Sequence, residues 1–185
     1  MAFRIGVTVA VVVSTLFLVS TSAVAIAHET SKTGDLISKL CKKTDYVDLC
    51  VSSVRENIKG EPTGVSILIA EVDAVAKATK EALAQAVDLS KLASSKREVQ
   101  ILSTCKECYD LAISSVADAK VAIAKHDGPG LNNELSAILT FATTCEDSYQ
   151  EASLPSPLKT ADQLITNLGG NCFEIANEIG LGVST

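Results

Sequence analysis

Apolar residues recur at alternating spacings of four and three positions along four long segments of the chain, and this pattern limits the possible fold more than any other feature. Such spacing puts the apolar side chains on one face of an α-helix. Because short breaks rich in Gly, Pro or Ser join the segments, sequential helices are expected to be antiparallel neighbours in an up-down-up-down bundle. The four stripes are Leu68, Val72, Val75, Thr79, Ala82, Ala86 and Leu89; Leu102, Cys105, Tyr109, Ala112, Val116, Ala119 and Ile123; Leu131, Leu135, Ile138, Ala142, Cys145 and Tyr149; and Ala161, Ile165, Leu168, Cys172, Ile175 and Ile179.

Two glycine-containing stretches set further expectations for these helices. Residues 126–130, which read His-Asp-Gly-Pro-Gly, are expected to form the loop that ends the second long helix, because Gly and Pro rarely continue a helix. Gly169 and Gly170 are expected to weaken the middle of the last helix, because glycine costs stability in a helix interior.

Two shorter helices are predicted before the bundle, over residues 31–40 and 46–57, with a turn at residues 43–45 between them. Cys41 and Cys50 flank this turn and are separated by eight residues, which in an exported chain predicts a disulfide that staples a helical hairpin. The predicted fold is therefore all-α: an antiparallel four-helix up-down-up-down bundle with an N-terminal helical hairpin, stapled by disulfides. The hairpin either packs on the bundle or projects from it.

The first 27 residues have the pattern of a secretory signal peptide. Arg4 is their only charge, the run from Ile5 to Val19 is almost wholly apolar, and the small residues at 22–27 allow cleavage after Ala25 or Ala27. A transmembrane helix is the alternative, but the apolar run of about 15 residues is shorter than the roughly 20 needed to cross a bilayer. We therefore predict a signal peptide over residues 1–27, a helical domain over residues 28–185, and secretion to the extracellular space.

The mature chain is acidic. Loss of the signal peptide leaves 15 basic and 22 acidic residues, a formal charge of −7. Such a surface repels nucleic acid and anionic membranes and favours a protein partner with a basic face.

The residues needed for catalysis or metal binding do not form a recognisable motif. The chain has two histidines, His28 and His126, with no nucleophile motif near either. Cys105 and Cys108 have the spacing of one zinc-ligand pair but lack a second pair. We therefore predict neither an enzyme nor a cofactor, and a helical carrier that binds a small molecule inside the bundle is an alternative.

Four cysteines remain outside the hairpin. Cys105 and Cys145 both lie on inward stripes of helices expected to be adjacent, so a disulfide between them is favoured. Cys108 lies one position off its stripe and Cys172 lies on the last stripe. We predict that these two are buried free thiols, with a third disulfide between them as the alternative.

Together these motifs resemble the plant pectin methylesterase inhibitor and invertase inhibitor family over about residues 31 to 180. The resemblance is carried by Cys-x8-Cys at residues 41–50, Cys-Lys-Glu-Cys-Tyr-Asp-Leu-Ala at residues 105–112, Thr-Cys-Glu-Asp-Ser-Tyr at residues 144–149, and a lone Cys172. It implies a four-helix bundle with an N-terminal hairpin, disulfides in the first-second and third-fourth pattern, a free cysteine at Cys172, and no catalysis. Cys108 departs from the family pattern.

The resemblance also implies a function and a binding surface. Members of this family bind a plant cell-wall enzyme in the apoplast, either across the pectin-binding cleft of pectin methylesterase or in the active site of acid invertase. In this family the bundle helices supply acidic and polar side chains to the contact with the enzyme. The positions that match here are Glu107, Thr144 and Asp147. The alternative for Glu107 and Asp147 is an ordinary solvated helix residue, and Thr144 could hydrogen-bond within its own helix.

Features of the second and third long helices bear on the choice of target. Two positions that are often acidic in methylesterase inhibitors are Leu111 and Ser114 here. Some invertase inhibitors resemble one another in a Pro-Lys-Phe insertion between these helices, where this chain has Asp-Gly-Pro-Gly at residues 127–130. We therefore expect inhibition of pectin methylesterase, with inhibition of acid invertase as the alternative.

Overall fold

The structure, a computed structural model, describes residues 36–182. The predicted signal peptide lies outside the described residues, as does the start of the predicted first hairpin helix. Among residues 36–182 the regular structure is entirely helical. The helices are α1 (36–41), α2 (Val47–Asn57), α3 (Gly64–Leu92), α4 (Lys96–Ala124), α5 (Gly128–Glu151) and α6 (Lys159–Glu178).

The four long helices α3 to α6 form the predicted up-down-up-down bundle, which confirms the fold. Each packs against its neighbour in sequence, and α6 closes the bundle by packing against α3. Within the part of the chain that the structure describes, no helix combines the length and the apolar character needed to span a bilayer.

Side-chain caps fix where the bundle helices begin. Thr63 and Ser95 each accept a hydrogen bond from the backbone N–H three residues later, in the capping boxes that start α3 and α4. Asp127 caps α5 by accepting from the Gly130 N–H at 3.0 Å. The expectation that residues 126–130 form a loop is therefore wrong for its last three residues, which make the first turn of α5. Pro129 is tolerated there because N–H groups in a first helical turn have no intrahelical acceptor.

The glycines of α6 also differ from expectation, because the helix is continuous through Gly169 and Gly170. A Cβ on Gly169 would lie 2.6 Å from Cδ2 of Leu139, whereas a Cβ on Gly170 would meet nothing within 4 Å. Gly169 therefore allows α6 to approach α5 closely, and the packing of the two helices compensates for the low helix propensity of glycine.

The buried core follows the predicted stripes closely but includes a row that they omit. Every residue of the α4 and α5 stripes is buried. Helix α3 buries a second row on another face, which includes Ile67, Glu71, Ala74 and Ala78. This row is buried because α3 packs against α2 of the hairpin as well as against the bundle.

The hairpin packs on the bundle through a buried polar cluster. The carboxylate of Glu71, which is 0% exposed, accepts hydrogen bonds from the Ser53 hydroxyl of α2 and, at 3.1 Å, from the Asn171 amide of α6. Asn171 also bonds the backbone N–H and C=O of Tyr46, both at 3.3 Å. The backbone N–H of Asp45 donates to Glu174 at 2.8 Å. Together these contacts connect the hairpin to α3 and α6.

The structure contains the disulfides Cys41–Cys50 and Cys105–Cys145, with Cα–Cα distances of 5.5 Å and 4.6 Å. The first closes the hairpin, and the second joins α4 to α5. Cys108 and Cys172 are free and buried, as in the first of the two alternatives weighed from the sequence.

Candidate functional site

The disulfide between α4 and α5 helps to position Glu107, Thr144 and Asp147, the three residues that the family resemblance indicates for inhibition. Glu107 follows Cys105 by two residues, so its side chain leaves the helix about 200° around the axis from the inward-pointing sulfur. Asp147 has the same relation to Cys145. Thr144 precedes Cys145 by one residue and lies on the flank of α5 that faces α4. All three therefore lie on the outer surface of the α4 and α5 pair, within about 3 Å of the disulfide along the helix axes at 1.5 Å per residue.

We call the outer surface around Glu107, Thr144 and Asp147 the α4–α5 surface. Glu107 and Asp147 are exposed, and neither makes a hydrogen bond or ion pair with another residue of the described part of the chain. Both carboxylates are thus available to a partner. Thr144 is half-buried, and its hydroxyl donates to the Thr140 carbonyl at 2.7 Å. Thr144 therefore hydrogen-bonds within its own helix, which is the alternative given for it above. Its hydroxyl oxygen can still accept a hydrogen bond from a partner.

A shallow groove between α4 and α5 continues this surface toward the end of the bundle where α5 ends. Its volume is about 220 Å³ and its lining includes Gln100, Thr104 and Ser148. The guanidinium of Arg97 donates across the groove to the Glu151 carbonyl at 3.3 Å. No motif in the sequence marks these residues. Their spacing of three and four positions on one flank of each helix was the signal that could have found them.

A polar contact beneath the α4–α5 surface joins α4 to α6. The Tyr109 hydroxyl donates to Oδ1 of Asp162 at 2.6 Å and lies 3.4 Å from Sγ of Cys145. Burial raises the pKa of Asp162 from its ordinary value of 3.8 to about 7; the Tyr109 hydrogen bond lowers it, and Glu146 adds to the rise. Burial and the bond to Asp162 also raise the pKa of Tyr109. Asp162 is therefore largely neutral in mildly acidic solution, which removes the cost of a buried charge under this surface.

The free thiols and the described histidine lack the environment of a catalytic group. Burial is the main cause that raises the pKa of Cys108, with smaller contributions from Glu107 and Asp162. The pKa of Cys172 is also raised well above its usual value, first by burial and then by Glu71. A thiol that stays protonated is a poor nucleophile. His126 is exposed in the turn before α5, and residues 36–182 contain no cluster of three or more His, Cys, Asp or Glu side chains placed to hold a metal ion.

Comparisons with known proteins agree with this architecture. A family profile described as "Plant invertase/pectin methylesterase inhibitor" matches residues 35–175. The chain is 31% identical over 149 residues to the pectinesterase inhibitor of Actinidia deliciosa, which covers 77% of this chain and 78% of that protein. It is 28% identical over 143 residues to pectinesterase inhibitor 2 of Arabidopsis thaliana, with 76% and 82% covered.

Among solved structures, a mutant form of a pectin methylesterase inhibitor from Arabidopsis superposes with a TM-score of 0.65 at 22% identity. The match covers 76% of this chain and 95% of that one. At this identity the likeness supports the shared fold.

Proposed function

The chain belongs to the plant invertase/pectin methylesterase inhibitor family, and from this premise we propose that it is an extracellular protein inhibitor of pectin methylesterase that blocks the enzyme by binding it. The two relatives described above are both named as pectinesterase inhibitors. Two disulfides agree with an oxidising extracellular compartment.

The observation that carries the proposal is the pair of exposed, unpaired carboxylates on the α4–α5 surface. Glu107 and Asp147 lie on rigid helices joined by the Cys105–Cys145 disulfide, so a partner can bind them without ordering a flexible loop. Acidic groups in this setting attract an enzyme face that carries Lys or Arg and increase the rate of association. The inhibitor then acts by covering the cleft and is not consumed.

Two other functions are less well supported by the structure. A carrier protein would need space inside the bundle, but the bundle interior is filled by fully buried side chains such as Leu68, Tyr109, Leu135 and Ile165. Inhibition of acid invertase is the alternative within the family. Asp127 caps α5 and residues 128–130 form its first turn, so this part of the chain offers no extended loop to enter an active site.

The test is titration of the purified mature protein against a plant pectin methylesterase and an acid invertase. We expect reversible, stoichiometric inhibition of the methylesterase that weakens as salt is added, because salt screens surface charge. Inhibition of the invertase alone would overturn the proposed target.

A paired substitution tests the surface. Glu107→Lys with Asp147→Lys should slow association and weaken inhibition by about tenfold or more, because like charges then face each other. The control is Glu81→Lys with Glu178→Lys, which makes the same charge change at exposed positions on α3 and α6. An equal loss in the control would show that overall charge, and not the α4–α5 surface, determines binding.

A further inference from the structure

Leu111 is a large apolar side chain on the outer side of α4, and 45% of its surface is exposed. It lies one turn beyond Glu107 and two turns beyond Thr104, so the three lie along one flank of α4. Thr104 lines the groove between α4 and α5, so this flank borders α5. Isolated exposed apolar residues are common and need no explanation. Leu111 differs from an isolated apolar residue because the fold places a second apolar side chain near it.

Helix α5 brings a second apolar side chain to the same place. Phe141 lies one turn before Cys145 and three residues before Thr144, and it is half-buried. Because α4 and α5 are antiparallel and joined at Cys105–Cys145, residues after Cys105 lie beside residues before Cys145. Leu111 and Phe141 are therefore on the same side of the disulfide. Each lies two turns from a residue that lines the α4–α5 groove, Thr104 on α4 and Ser148 on α5, so both lie on the flanks that border this groove.

The polar residues around this pair form a border. Glu107 lies one turn before Leu111 and Ser114 lies about one turn after it, while Thr140 and Thr144 flank Phe141 on α5. An apolar centre with a polar rim is the arrangement of protein-binding surfaces, in which a few desolvated apolar side chains supply most of the affinity. The rim carboxylates mainly influence the rate of encounter.

We propose that Leu111, supported by Phe141, is the apolar anchor of the α4–α5 surface and determines which enzymes the inhibitor binds tightly. This inference rests on the proposed function, since the partner is the inhibited enzyme. Substrate clefts are lined mostly by apolar and aromatic side chains with a few polar groups. An anchor of this kind selects enzymes whose cleft presents an apolar or aromatic side chain to Leu111 and disfavours those that present a charged one, which would be desolvated without a partner.

The test uses substitutions of Leu111, which is exposed enough to change without loss of the core. Leu111→Ser should weaken inhibition of the methylesterase by about tenfold, through faster dissociation, with the salt dependence of association unchanged. Leu111→Met, which keeps an apolar side chain of similar volume, should retain inhibition. The matched control is Val99→Ser, also on α4 and 47% exposed, but about 120° around the helix axis from Leu111. Melting temperatures of all four proteins should agree closely.

Each outcome bears on a separate claim. If the wild type inhibits the methylesterase and Leu111→Ser inhibits equally well, or if Val99→Ser loses as much, the anchor is wrong while the proposed function stands. If the wild type does not inhibit, both fall. Size-exclusion chromatography of the same proteins tests whether a second copy of this chain covers Leu111 instead. A wild-type dimer that Leu111→Ser converts to a monomer, with inhibition unchanged, would assign the patch to self-association and overturn the proposal.

Discussion

Buried Glu71 predicts that the protein loses stability as the pH rises. Burial is the dominant cause that raises the pKa of Glu71 from 4.5 to about 7, although hydrogen bonds from Ser53 and Asn171 lower it. Below about pH 4.5 the carboxyl is protonated in both the folded and the unfolded chain, so it costs nothing. As the pH rises toward 7, the unfolded chain ionises freely but the folded chain does not. The folded state is therefore destabilised, and the full loss is reached above about pH 7.

The size of this loss follows from the pKa difference. A rise in pKa from 4.5 to about 7 corresponds to about 3 kcal/mol of unfolding free energy. The variant Glu71→Gln keeps an acceptor for Asn171 and gains a donor for Ser53, but it cannot ionise. We therefore expect it to match the wild type near pH 4 and to exceed it by about 3 kcal/mol above pH 7, or about 10 °C in melting temperature for a domain of this size.

The assay is thermal and urea unfolding, with the disulfides intact, between about pH 4 and pH 9. Glu81→Gln serves as the control, because Glu81 is also on α3 but exposed; its curve should follow the wild type at every pH. Asp162, whose pKa is also raised to about 7, adds a loss of the same sign that persists in Glu71→Gln. A wild type as stable at pH 8 as at pH 5, or a Glu71→Gln variant without any gain at high pH, would refute the reasoning.

Two further predictions concern the cysteines and the glycines. Cys145→Ala opens the disulfide that joins α4 to α5 and should destabilise by about 2–5 kcal/mol, while Cys108→Ser should cost much less because Cys108 is unpaired; equal losses in thermal melts would contradict this. Gly170→Ala should stabilise by about 0.5–1 kcal/mol, because a Cβ there meets open space. Gly169→Ala should gain less, because Leu139 must move, and a larger gain at Gly169 would contradict the close approach of α5 and α6.

The bundle could be predicted from the sequence because its core has a simple period. Helix α5 shows this most clearly: the six residues of its predicted stripe are the six that the structure buries. The docking of the hairpin could not be predicted in this way. Glu71 looks like an ordinary polar residue of α3, and its partners Ser53 and Asn171 lie 18 and 100 residues away. Only the fold brings these three polar groups together, so no local pattern marks Glu71 as buried.

The candidate site also contains residues that could be predicted from local sequence and a residue whose role depends on a distant part of the chain. Glu107 and Asp147 could be placed on one surface from the sequence. Each follows a cysteine by two residues, and these two cysteines, Cys105 and Cys145, are expected from the sequence to form a disulfide. Leu111 appeared in the sequence only as a departure from an acidic position, because its role depends on Phe141, which lies 30 positions away on another helix. Charge at Glu107 and Asp147 acts at a distance and can be shared by many acidic inhibitors, whereas an apolar side chain contributes only on close contact. Differences in target choice between related inhibitors should therefore depend more on the residues at the positions of Leu111 and Phe141 than on the net charge of each inhibitor.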